Sequence, residues 1–577
     1  MIKRNKTARF VSLASLVIAM GFSSPVLAQE IERVSQGLEE AQQQPVSLTP
    51  RDNLSLSSDE TELLPSLKGI VFVNSPENIS QAGTSAEGVE ARGDFAPDQV
   101  LGVANNFIGQ PVSLASLDRL TRDLVLAFRS AGYPVVNVVV PPQDVSNGVV
   151  QILAVVGRFA ELTVEGDVKN PDYYTNDFPL QPGDAVDQGK VLDHLRWRSR
   201  RFHRTLGAVY EPGAEFGQTN IGLTANETKP YTVFAGVDNT GTGITGDLRI
   251  FGGFTVADLT GEDHELSYQI TTSEEGFDTL QAHVASYTVP VPFLGKTDFQ
   301  VAGAVILTSA DLEVGESDGD NIQVSANFRT QLPSIDNTTF DARYGLEYKN
   351  ADNTFAFGGT PVSDNETVVS QGYFQLLGSR ADSKSSTQFD VGAWFSPGDV
   401  FDDNSDEAFT LTREGAEASY VYIRGGVEHV FFLPKGWRLA LDADGQATGD
   451  RLITSEQIFI GGLNSVRGLE ENALRGDVGI LGTVQLETPA IELFGKNSDT
   501  ISDGLRAYAF FDAGYVDVND GEVEGDDDGS AISAGVGFLY QINNNFTAEG
   551  VFGYPIDTSG DVGDDDGRFS FRIVARY

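Results

Sequence analysis

Apolar and polar residues alternate with the two-residue period of a β-strand through residues 229–577, and no stretch there has a helical pattern. Sixteen strands can be placed in these 349 residues, about 22 residues for each strand with its connection, which suits membrane strands of roughly 9–11 residues. The clearest alternating stretches are Tyr231–Val237, Leu266–Ile270, Ala282–Val289, Phe299–Leu307, Gln388–Trp394, Ala418–Phe432, Trp437–Ala443 and Leu505–Val516. The pattern predicts an antiparallel β-structure over this whole region.

The connections between these stretches indicate a barrel that spans an outer membrane. Tight connections at Pro292–Lys296, Leu433–Gly436 and Gln541–Asn545 alternate with longer acidic or glycine-rich ones. Short periplasmic turns and long outer loops are typical of transmembrane β-barrels, and an even strand number returns both ends to the periplasm. A soluble β-sandwich is the alternative, but it would need a second sheet to cover each apolar face.

The last strand shows the two faces most clearly. Its residues alternate between an apolar set and a mostly polar set: Phe569, Phe571, Ile573, Ala575 and Tyr577 against Arg568, Ser570, Arg572, Val574 and Arg576. The apolar face suits lipid and the other face suits a water-filled lumen.

The chain begins with the pattern of an export signal. Lys3 and Arg4 precede an apolar run from Phe10 to Phe22, and Val26-Leu27-Ala28 has the small residues of a cleavage site. The apolar run is too short to cross a bilayer. We therefore expect residues 1–28 to be a signal peptide.

A short helix and a linker are predicted next. In residues 29–45, Ile31, Val34 and Leu38 recur at helical spacing, which predicts an amphipathic helix. Residues 46–65 are rich in Ser, Thr, Asp and Pro and are typical of a linker. A single helix on a linker has little core of its own, so it must dock on another part of the protein or move.

Residues 66–157 and 158–228 each have a mixed α and β pattern. The first unit has a strand at Lys68–Asn74, helices at Asp98–Ile108 and Leu114–Ser130, and strands at Val135–Val140 and Val149–Val156. The second has a strand at Phe159–Glu165, a helix at Gly189–Arg200, and a strand pair at Thr205–Tyr210 and Asn220–Ala225. The predicted fold is therefore an N-terminal helix, two small α+β domains and a transmembrane antiparallel β-barrel of about sixteen strands.

Composition and charge agree with this architecture. The chain has 62 Gly, 36 Phe and 17 Tyr but only 2 Met and no Cys, which suits glycine turns and aromatic girdles. Its formal net charge of −44 argues against a nucleic-acid partner, because phosphates need a basic surface. Acidic blocks such as Asp526-Asp527-Asp528 suit solvated loops. A calcium role is the alternative, although their spacing lacks the ligand pattern of a calcium loop.

The residues give little support for an enzyme. The five histidines have no metal-ligand spacing, and no phosphate loop, nucleophile elbow or zinc-protease motif is present. The histidines are His194, His203, His264, His283 and His429. We therefore expect no catalytic residue, no metal site and no cofactor.

Two segments of the barrel region are more specific. The longest connection, about 449–477, contains a glycine-rich stretch around an arginine: Gly461, Gly462, Ser465, Val466, Arg467 and Gly468. Such a loop either lies at the surface or folds into the lumen, where Arg467 would need a carboxylate partner. Asp512 is the candidate. If Phe511 and Ala513 face lipid, Asp512 faces the lumen, on the same side of the strand as Gly514.

A basic run in the second α+β unit is the third candidate. It comprises Arg196, Arg198, Arg200, Arg201 and Arg204, around Trp197 and Phe202. A solvated helix end explains it most simply. In so acidic a chain, the alternative is a patch that attracts an acidic client protein or lipid headgroups.

The order of segments and the two barrel motifs together resemble the outer-membrane transporters of two-partner secretion. This family (TpsB type; ShlB/FhaC/HecB hemolysin secretion/activation) belongs to the Omp85 superfamily, and its periplasmic units are called POTRA domains. Ser465-Val466-Arg467-Gly468 is similar to the signature of the superfamily's inward-folded sixth loop. Phe511-Asp512-Ala513-Gly514 is similar to its strand motif, whose aspartate binds the loop arginine.

Further residues extend or limit the resemblance. Glu456 and Phe459, with Gly461 and Gly462, match the approach to the loop signature, and Gly476-Asp477 matches the segment after it. Leu469 departs from the pattern, because the family usually has an aromatic residue there.

The resemblance implies a protein of the Gram-negative outer membrane with its N-terminal domains in the periplasm. It would secrete, and in some members activate, a large TpsA-type partner such as a hemolysin or adhesin, without nucleotide hydrolysis. The 30–45 helix would plug the pore until a client arrives, and the POTRA-like units would capture the client by strand addition. Outer-membrane lipids and, during biogenesis, the barrel assembly machinery would be the other partners. The alternatives are an Omp85-type assembly factor, a general porin and a soluble β-rich adhesin.

Overall fold

The structure is a computed structural model, and it describes residues 47–49, 59–93, 96–243, 245–312, 315–335, 338–357, 360–494, 502–519, 528–560, 562 and 566–577. The predicted signal peptide, the predicted helix with Ile31, Val34 and Leu38, and part of the predicted linker lie outside the described residues. The chain forms two compact units, one of residues 44–228 with 333–339, and one containing 229–332 and 340–577. No helix among the described residues is long and apolar enough to span a membrane.

The first α+β domain is a four-stranded sheet covered by two helices. The strand order is β3-β2-β5-β4, with β3 and β5 parallel to β2 and with β4 antiparallel to β5. Its elements are β2 (Gly69–Val73), β3 (Gly88–Ala91), α1 (Asp98–Asn105), α2 (Leu114–Ser130), β4 (Val136–Val139) and β5 (Val149–Val156). Strand β3 was not predicted, because four half-exposed residues that begin with glycine carry no periodic signal.

Local sequence accounts for the longer helix of this domain. Ser113 caps α2: its hydroxyl accepts from the Ser116 N–H, and the Ser116 hydroxyl accepts from the Ser113 N–H. On its apolar face, Leu120, Leu124 and Phe128 are buried in the core of the domain. These buried residues recur at the spacing of an α-helix, so one face of α2 is apolar and packs in the core.

The second α+β domain has its own four-stranded sheet, in the order β1-β7-β8-β6. Its elements are β1 (Ser47–Thr49), β6 (Arg158–Glu165), α3 (Pro171–Thr175), α4 (Gln188–Arg198), β7 (Arg204–Pro212) and β8 (Gln218–Glu227). The hairpin β7–β8 is antiparallel, as predicted. Strand β1 comes from the predicted linker and pairs in parallel with β7, from Ser47 opposite Gly207 to Thr49 opposite Val209.

One glycine joins the two domains. Gly157 is the only residue between β5 and β6, and its N–H donates to the Val135 carbonyl while its carbonyl accepts from the Val186 N–H. A Cβ atom at this position would lie 2.4 Å from Thr219 Oγ1 and 2.8 Å from Val135 Cγ1. The close approach of the two domains therefore requires glycine here.

The second unit is a closed antiparallel barrel of sixteen strands, as predicted. The strands are β9 (Tyr231–Asp238), β10 (Arg249–Ala257), β11 (Glu265–Ser273), β12 (Leu280–Pro290), β13 (Thr297–Leu312), β14 (Gly315–Ile335), β15 (Thr338–Phe357), β16 (Thr360–Ala381), β17 (Ser385–Pro397), β18 (Ser419–Phe432), β19 (Arg438–Thr448), β22 (Val478–Glu487), β23 (Asp503–Asp517), β24 (Gly529–Ile542), β25 (Phe546–Ser559) and β26 (Arg568–Arg576). Two short strands, β20 (Ile458–Ile460) and β21 (Leu474–Gly476), lie between β19 and β22.

Pairing of the last strand with the first closes the barrel. Strands β26 and β9 pair from Arg572 opposite Asp238 to Arg576 opposite Phe234. Where β9 ends, the Asn239 side chain continues the ladder: its amide donates to the Phe569 carbonyl at 2.7 Å and accepts from the Phe571 N–H at 2.7 Å. The ladder therefore has no open edge along this seam.

The alternation within β26 has the predicted faces. Phe569 and Tyr577 are 54% and 71% exposed on the outside, whereas Ser570 and Val574 are buried inside. The same period runs through β11, where every second residue from Glu265 to Ser273 faces the lumen. The outer surface is therefore apolar and the inner surface largely polar, which suits a membrane barrel.

The predicted alternation of short and long connections is only partly correct. At the rim where β9 begins and β26 ends, β22 and β23 are far apart in the sequence, from Glu487 to Asp503. At the opposite rim, only two residues of the sequence separate β13 from β14, and only two separate β15 from β16. The reason is that β13–β16 contain 16 to 22 residues. Residues of this region that the sequence pattern assigned to loops therefore belong to the paired strands.

We expect the purified protein to migrate differently on SDS gels before and after boiling. A closed ladder has no free edge at which detergent could begin to unfold it, so the unboiled protein should stay compact. The measurement is gel mobility of matched unboiled and boiled samples. Equal mobility of the two samples would contradict a closed barrel.

Candidate functional site: a loop held inside the barrel

The candidate site is the connection between β19 and β22, which comprises residues 449–477 and has the predicted bounds. It folds back on itself through the antiparallel pair β20–β21, in which Ile458 is opposite Gly476 and Ile460 is opposite Leu474. Gly461 and Gly462 follow β20 with φ values of 115° and 99°. Only glycine adopts such angles readily, so the turn at the loop tip depends on these two residues.

Arg467 at the tip binds Asp512 of the barrel wall. Arg467 Nε and Nη2 donate to the two carboxylate oxygens of Asp512 at 2.8 and 2.7 Å, and the Arg467 backbone N–H donates to the same carboxylate at 3.0 Å. Asp512 is fully buried, and Phe511 beside it faces outward, as the alternation predicted. The structure thus brings together the two residues that the sequence paired.

The surroundings of this ion pair hold the guanidinium in one orientation. Arg467 Nη1 donates to Gln485 Oε1 at 2.8 Å, and Thr483 Oγ1 donates to Asp512 at 2.9 Å. The Arg467 guanidinium carbon lies 3.6 Å from the centre of the Phe510 ring, a cation–π geometry. This site requires arginine and not lysine, because only the planar guanidinium can stack on a ring and bind a carboxylate with two hydrogen bonds at the same time.

The loop tip touches the wall backbone to backbone. A Cβ atom on Gly468 would lie 2.6 Å from the carbonyl carbon of Gly553 in β25, and a Cβ atom on Gly553 would lie 2.6 Å from the Gly468 nitrogen. A Cβ atom on Gly514 would lie 2.6 Å from Ile460 Cδ1. Glycine on both sides of the contact therefore allows the tip to approach closely enough for the ion pair to form.

Leu469 fills the position where the family usually has an aromatic residue. It is buried in an apolar cluster with Ile460, Val466 and Val516. The departure from the family pattern therefore leaves an apolar contact at the tip and removes only the ring.

A second anchor lies at the middle of the loop, around Glu456. Lys349 Nζ donates to Glu456 Oε1 at 2.7 Å, and Tyr422 and Gln371 donate to Glu456 Oε2 at 2.9 and 3.0 Å. Lys349 and Glu456 are both buried. Because β15, β16 and β18 each supply one of these partners, the loop is fixed to three strands of one side of the wall.

A third anchor lies at the base of the loop, around Asp477. Its buried carboxylate accepts five hydrogen bonds: Arg413 Nη1 and Nη2 at 2.6 and 3.1 Å, Leu452 N–H at 3.0 Å, Gln457 Nε2 at 3.2 Å and Asn519 N–H at 3.0 Å. Arg413 and Asn519 belong to the two neighbouring connections of the same rim. Three connections therefore meet at one carboxylate.

Sequence reasoning noted Glu456 and Asp477 only as matches to a family pattern and missed Lys349 and Arg413. A signal for Lys349 exists: Arg343, Gly345, Glu347 and Lys349 share one face of a strand, and charged residues on one face of a barrel strand face the lumen. No comparable signal exists for Arg413, which lies in a connection. Only the folded chain brings it to Asp477.

The basic run of the second α+β domain packs against that domain's own rings. The guanidinium carbon of Arg200 lies 3.7 Å from the centre of the Trp197 ring, and those of Arg204 and Arg198 lie 4.3 and 4.9 Å from the centre of the Tyr173 ring. Arg201 and Arg204 are only 4% and 6% exposed. A basic patch that includes these two residues is therefore wrong, because their charge is buried. Client binding through Arg196, Arg198 and Arg200 stays a prediction.

The site has the chemistry of a mechanical anchor. Its contacts are ion pairs, hydrogen bonds and close backbone approaches, and among the described residues no group of three or more His, Asp or Glu side chains could hold a metal ion. Buried ion pairs contribute little net stability but define one geometry, because each charge strongly requires its partner. The three sets of contacts thus hold the loop in a single position.

Comparison with known proteins places this architecture among transporters. A model of the haemolysin secretion/activation protein family ShlB/FhaC/HecB matches residues 217–539, and a model of the ShlB-type POTRA domain matches residues 86–157. The chain is 22% identical over 405 residues to the heme/hemopexin transporter protein HuxB of Haemophilus influenzae, covering 67% of this chain and 68% of that protein. It is 24% identical over 460 residues to the outer membrane transporter CdiB-2 of Burkholderia pseudomallei, covering 75% and 73%.

Solved structures share the fold. CdiB from Escherichia coli superposes with a TM-score of 0.69 at 17% identity, covering 97% of this chain and 100% of that one. CdiB from Acinetobacter baumannii superposes with a TM-score of 0.63 at 15% identity, covering 96% and 98%. The barrel with its two α+β domains is therefore the architecture of these proteins as well.

We expect Arg467→Ala to expose the loop tip. The wild-type chain has no cysteine, so Leu469→Cys places a single, buried thiol beside the anchor. Breaking a buried ion pair from one side costs about 3–5 kcal/mol, and about 1.4 kcal/mol is a factor of ten. Labelling of Cys at 469 by a membrane-impermeant maleimide should therefore be at least about tenfold faster when Arg467 is replaced.

The matched control for this experiment is Arg329→Ala in the same Leu469→Cys background. Arg329 pairs with Asp341 at 2.9 Å on strands β14 and β15, away from the loop. This control should label as slowly as the parent. Equal labelling rates in the Arg467→Ala and Arg329→Ala proteins would show that the ion pair does not hold the tip.

Proposed function

The chain belongs to the haemolysin secretion/activation family ShlB/FhaC/HecB, and from this premise we propose that it exports one large secreted partner protein through its barrel. It is a transporter of the Gram-negative outer membrane, with its POTRA domains in the periplasm. The partner we propose is a TpsA-type exoprotein. The proposal includes no catalytic step and no nucleotide, because folding of the client outside the cell can supply the direction of movement.

The observation that carries the proposal is the loop anchored inside a closed barrel. Sixteen strands enclose a lumen wide enough for more than side chains, and residues 449–477 occupy part of it through contacts of Arg467, Glu456 and Asp477. A simple porin needs no loop held at three points. A conduit that must stay closed until its client arrives does need one.

Strand pairing in the second POTRA domain supports capture of the client by strand addition. Residues Ser47–Thr49 pair in parallel with β7 at the sheet edge, so this edge accepts an extended segment. An exposed edge gives affinity through main-chain hydrogen bonds and requires little of the client's sequence. An unfolded client segment would therefore compete with the chain's own residues 47–49 for β7.

The remaining proposed partners follow from the barrel's surface. Outward-facing aromatic residues such as Phe511, Phe569 and Tyr577 suit contact with outer-membrane lipids. The long antiparallel ladder suits insertion by the barrel assembly machinery during biogenesis. The three arginines of the basic run that are only partly buried, Arg196, Arg198 and Arg200, stay candidates for contact with an acidic client.

We expect Arg467→Ala to lower secretion of the proposed partner protein by at least about tenfold, because the loop loses a contact of about 3–5 kcal/mol and about 1.4 kcal/mol is a factor of ten. The measurement is client protein in the culture medium of cells with equal amounts of transporter. Heat-modifiable gel mobility should be unchanged, because the ion pair is not part of the ladder. Normal secretion by this variant would remove Arg467 from the mechanism.

We expect deletion of residues 29–45 to raise the ionic conductance of the protein in planar bilayers. If residues 29–45 form the predicted plug, they exclude ions from the lumen. Their deletion should then increase the open time by at least about tenfold, even if the plug is held by as little as about 1.4 kcal/mol. The matched control is the full-length protein in which residues 29–45 are kept and Ile31, Val34 and Leu38 are changed to Ser. A general porin would conduct equally with and without the segment.

A further inference from the structure

The connection 398–418 between β17 and β18 closes over the base of the anchored loop. It contains one short helix, α5 (Asp406–Thr412), and its next residue is Arg413, which binds Asp477 bidentately and also donates to the Leu452 carbonyl. Arg451, at the start of the loop, donates back to the Glu414 carbonyl at 2.7 Å. The two connections are therefore linked in both directions.

An apolar contact seats this connection in the mouth of the lumen. Phe409 of α5 is fully buried and packs on Tyr420, with 6.4 Å between ring centres. Tyr420 continues a stack of wall rings through Tyr422 and Trp394, in which Trp394 and Tyr422 lie 5.3 Å apart and within 9° of parallel. Leu452 and Ile453 of the loop join the same cluster. The wall, the connection and the loop base thus share one core.

Two polar contacts tie the connection to strand β16. The buried Asn404 side chain donates to the Val368 carbonyl at 3.0 Å, and the Thr412 hydroxyl lies 2.6 Å from the Thr367 hydroxyl. These contacts lie at the two sides of α5. Beside these two side-chain contacts, the Val368 N–H donates to the Asp403 carbonyl at 3.0 Å. The connection is therefore attached to β16 by a few single contacts and not by a strand ladder.

We propose that residues 398–418 are a latch at the outer mouth of the pore, and that Arg413 is the positioning residue through which the latch holds the base of the loop. With Arg413 bound to Asp477, the loop base and the mouth are closed. When the latch lifts, Asp477 loses its two guanidinium donors and the mouth opens, while Arg467 keeps the loop tip on the wall. This inference rests on the proposed transport function and adds the element that controls its outer end.

The latch is built to move as one piece. A helix of seven residues is far below the length of about 12–15 residues that an isolated helix needs in water, so α5 is held by its tertiary contacts. Segments held in this way open as cooperative units at lower cost than the core of the fold. The single carboxylate of Asp477 ties that opening to the loop, because it has partners in both.

A reversible disulfide tests whether the latch must lift. Thr367→Cys with Thr412→Cys replaces two hydroxyls 2.6 Å apart, a separation that suits a disulfide, and the wild-type chain has no cysteine that could interfere. The measurement is ion current through the purified full-length protein in planar bilayers, oxidised and then reduced with dithiothreitol. We expect the oxidised protein to open at least about tenfold less often than the same protein after reduction.

The matched control is Thr297→Cys with Thr330→Cys. These two hydroxyls are 3.0 Å apart on paired residues of β13 and β14, where the ladder already fixes their distance. Its opening should be the same before and after reduction. If the oxidised latch variant opens as often as its reduced form, the latch does not lift and the proposal is overturned.

A second measurement addresses Arg413 itself. Arg413→Gln keeps a polar side chain of similar length but cannot bind Asp477 bidentately, and it should open at least about tenfold more often than wild type in the same bilayers. Arg329→Gln is the control and should match wild type. Unchanged opening of Arg413→Gln, in protein whose heat-modifiable mobility is normal, would overturn the role of Arg413. Both experiments need no client, so their failure is separate from a failure of secretion.

Discussion

The structure depends on one constraint, which is that backbone N–H and C=O groups in a lipid bilayer have no water to bind. A single sheet of sixteen strands meets this constraint only if its first and last strands pair. Strands β9 and β26 do so over the register from Asp238 to Phe234, and the Asn239 amide binds the β26 backbone beyond the end of β9. Closure in turn fixes the width of the lumen, and the lumen then has to be filled or controlled.

The anchored loop meets that second requirement with charged and polar contacts. Arg467, Lys349 and Arg413 each bind a buried carboxylate, although an apolar core of the same volume would be at least as stable. Charged anchors offer a property that apolar packing lacks, since each partner specifies one geometry and is exchangeable for another polar group or for water. Such contacts suit a loop that the proposed transport would require to change position. The glycine pair Gly468 and Gly553 adds the close approach without which the tip would stand off the wall.

The periplasmic domains follow the opposite rule. Their sheets keep edges, and the edge at β7 already accepts three residues of the chain's own linker. In a soluble domain an open edge is a liability for aggregation, and capture of an extended client by strand addition is the role proposed for it in this protein. The barrel sheet therefore has no free edge in the membrane, whereas the sheets of the periplasmic domains keep edges that can pair with another segment.

The sequence alone determined the features that depend on periodicity and on local chemistry. The two-residue period predicted sixteen strands and the two faces of β26, because each residue's side is decided by its neighbours in the strand. The helix Leu114–Ser130 followed from its own 3.6-residue period, and the loop bounds 449–477 followed from where the strand period stops and resumes. Asp512 was a candidate partner of Arg467 because the alternation places it on the lumen face, and because both motifs resemble those of a known family.

Tertiary structure alone decided contacts between segments that are distant in the chain. Strand β3 and strand β1 have too few residues to show a period, and they exist because a sheet edge was available to pair with them. The burial of Arg201 and Arg204 depends on where the rings of the same domain lie. The meeting of Arg413, Leu452 and Asn519 at Asp477 depends on the antiparallel pairing of β17 to β24, which places three successive connections of one rim side by side. The residues next to Arg413 in the sequence form no pattern that predicts its contact with Asp477.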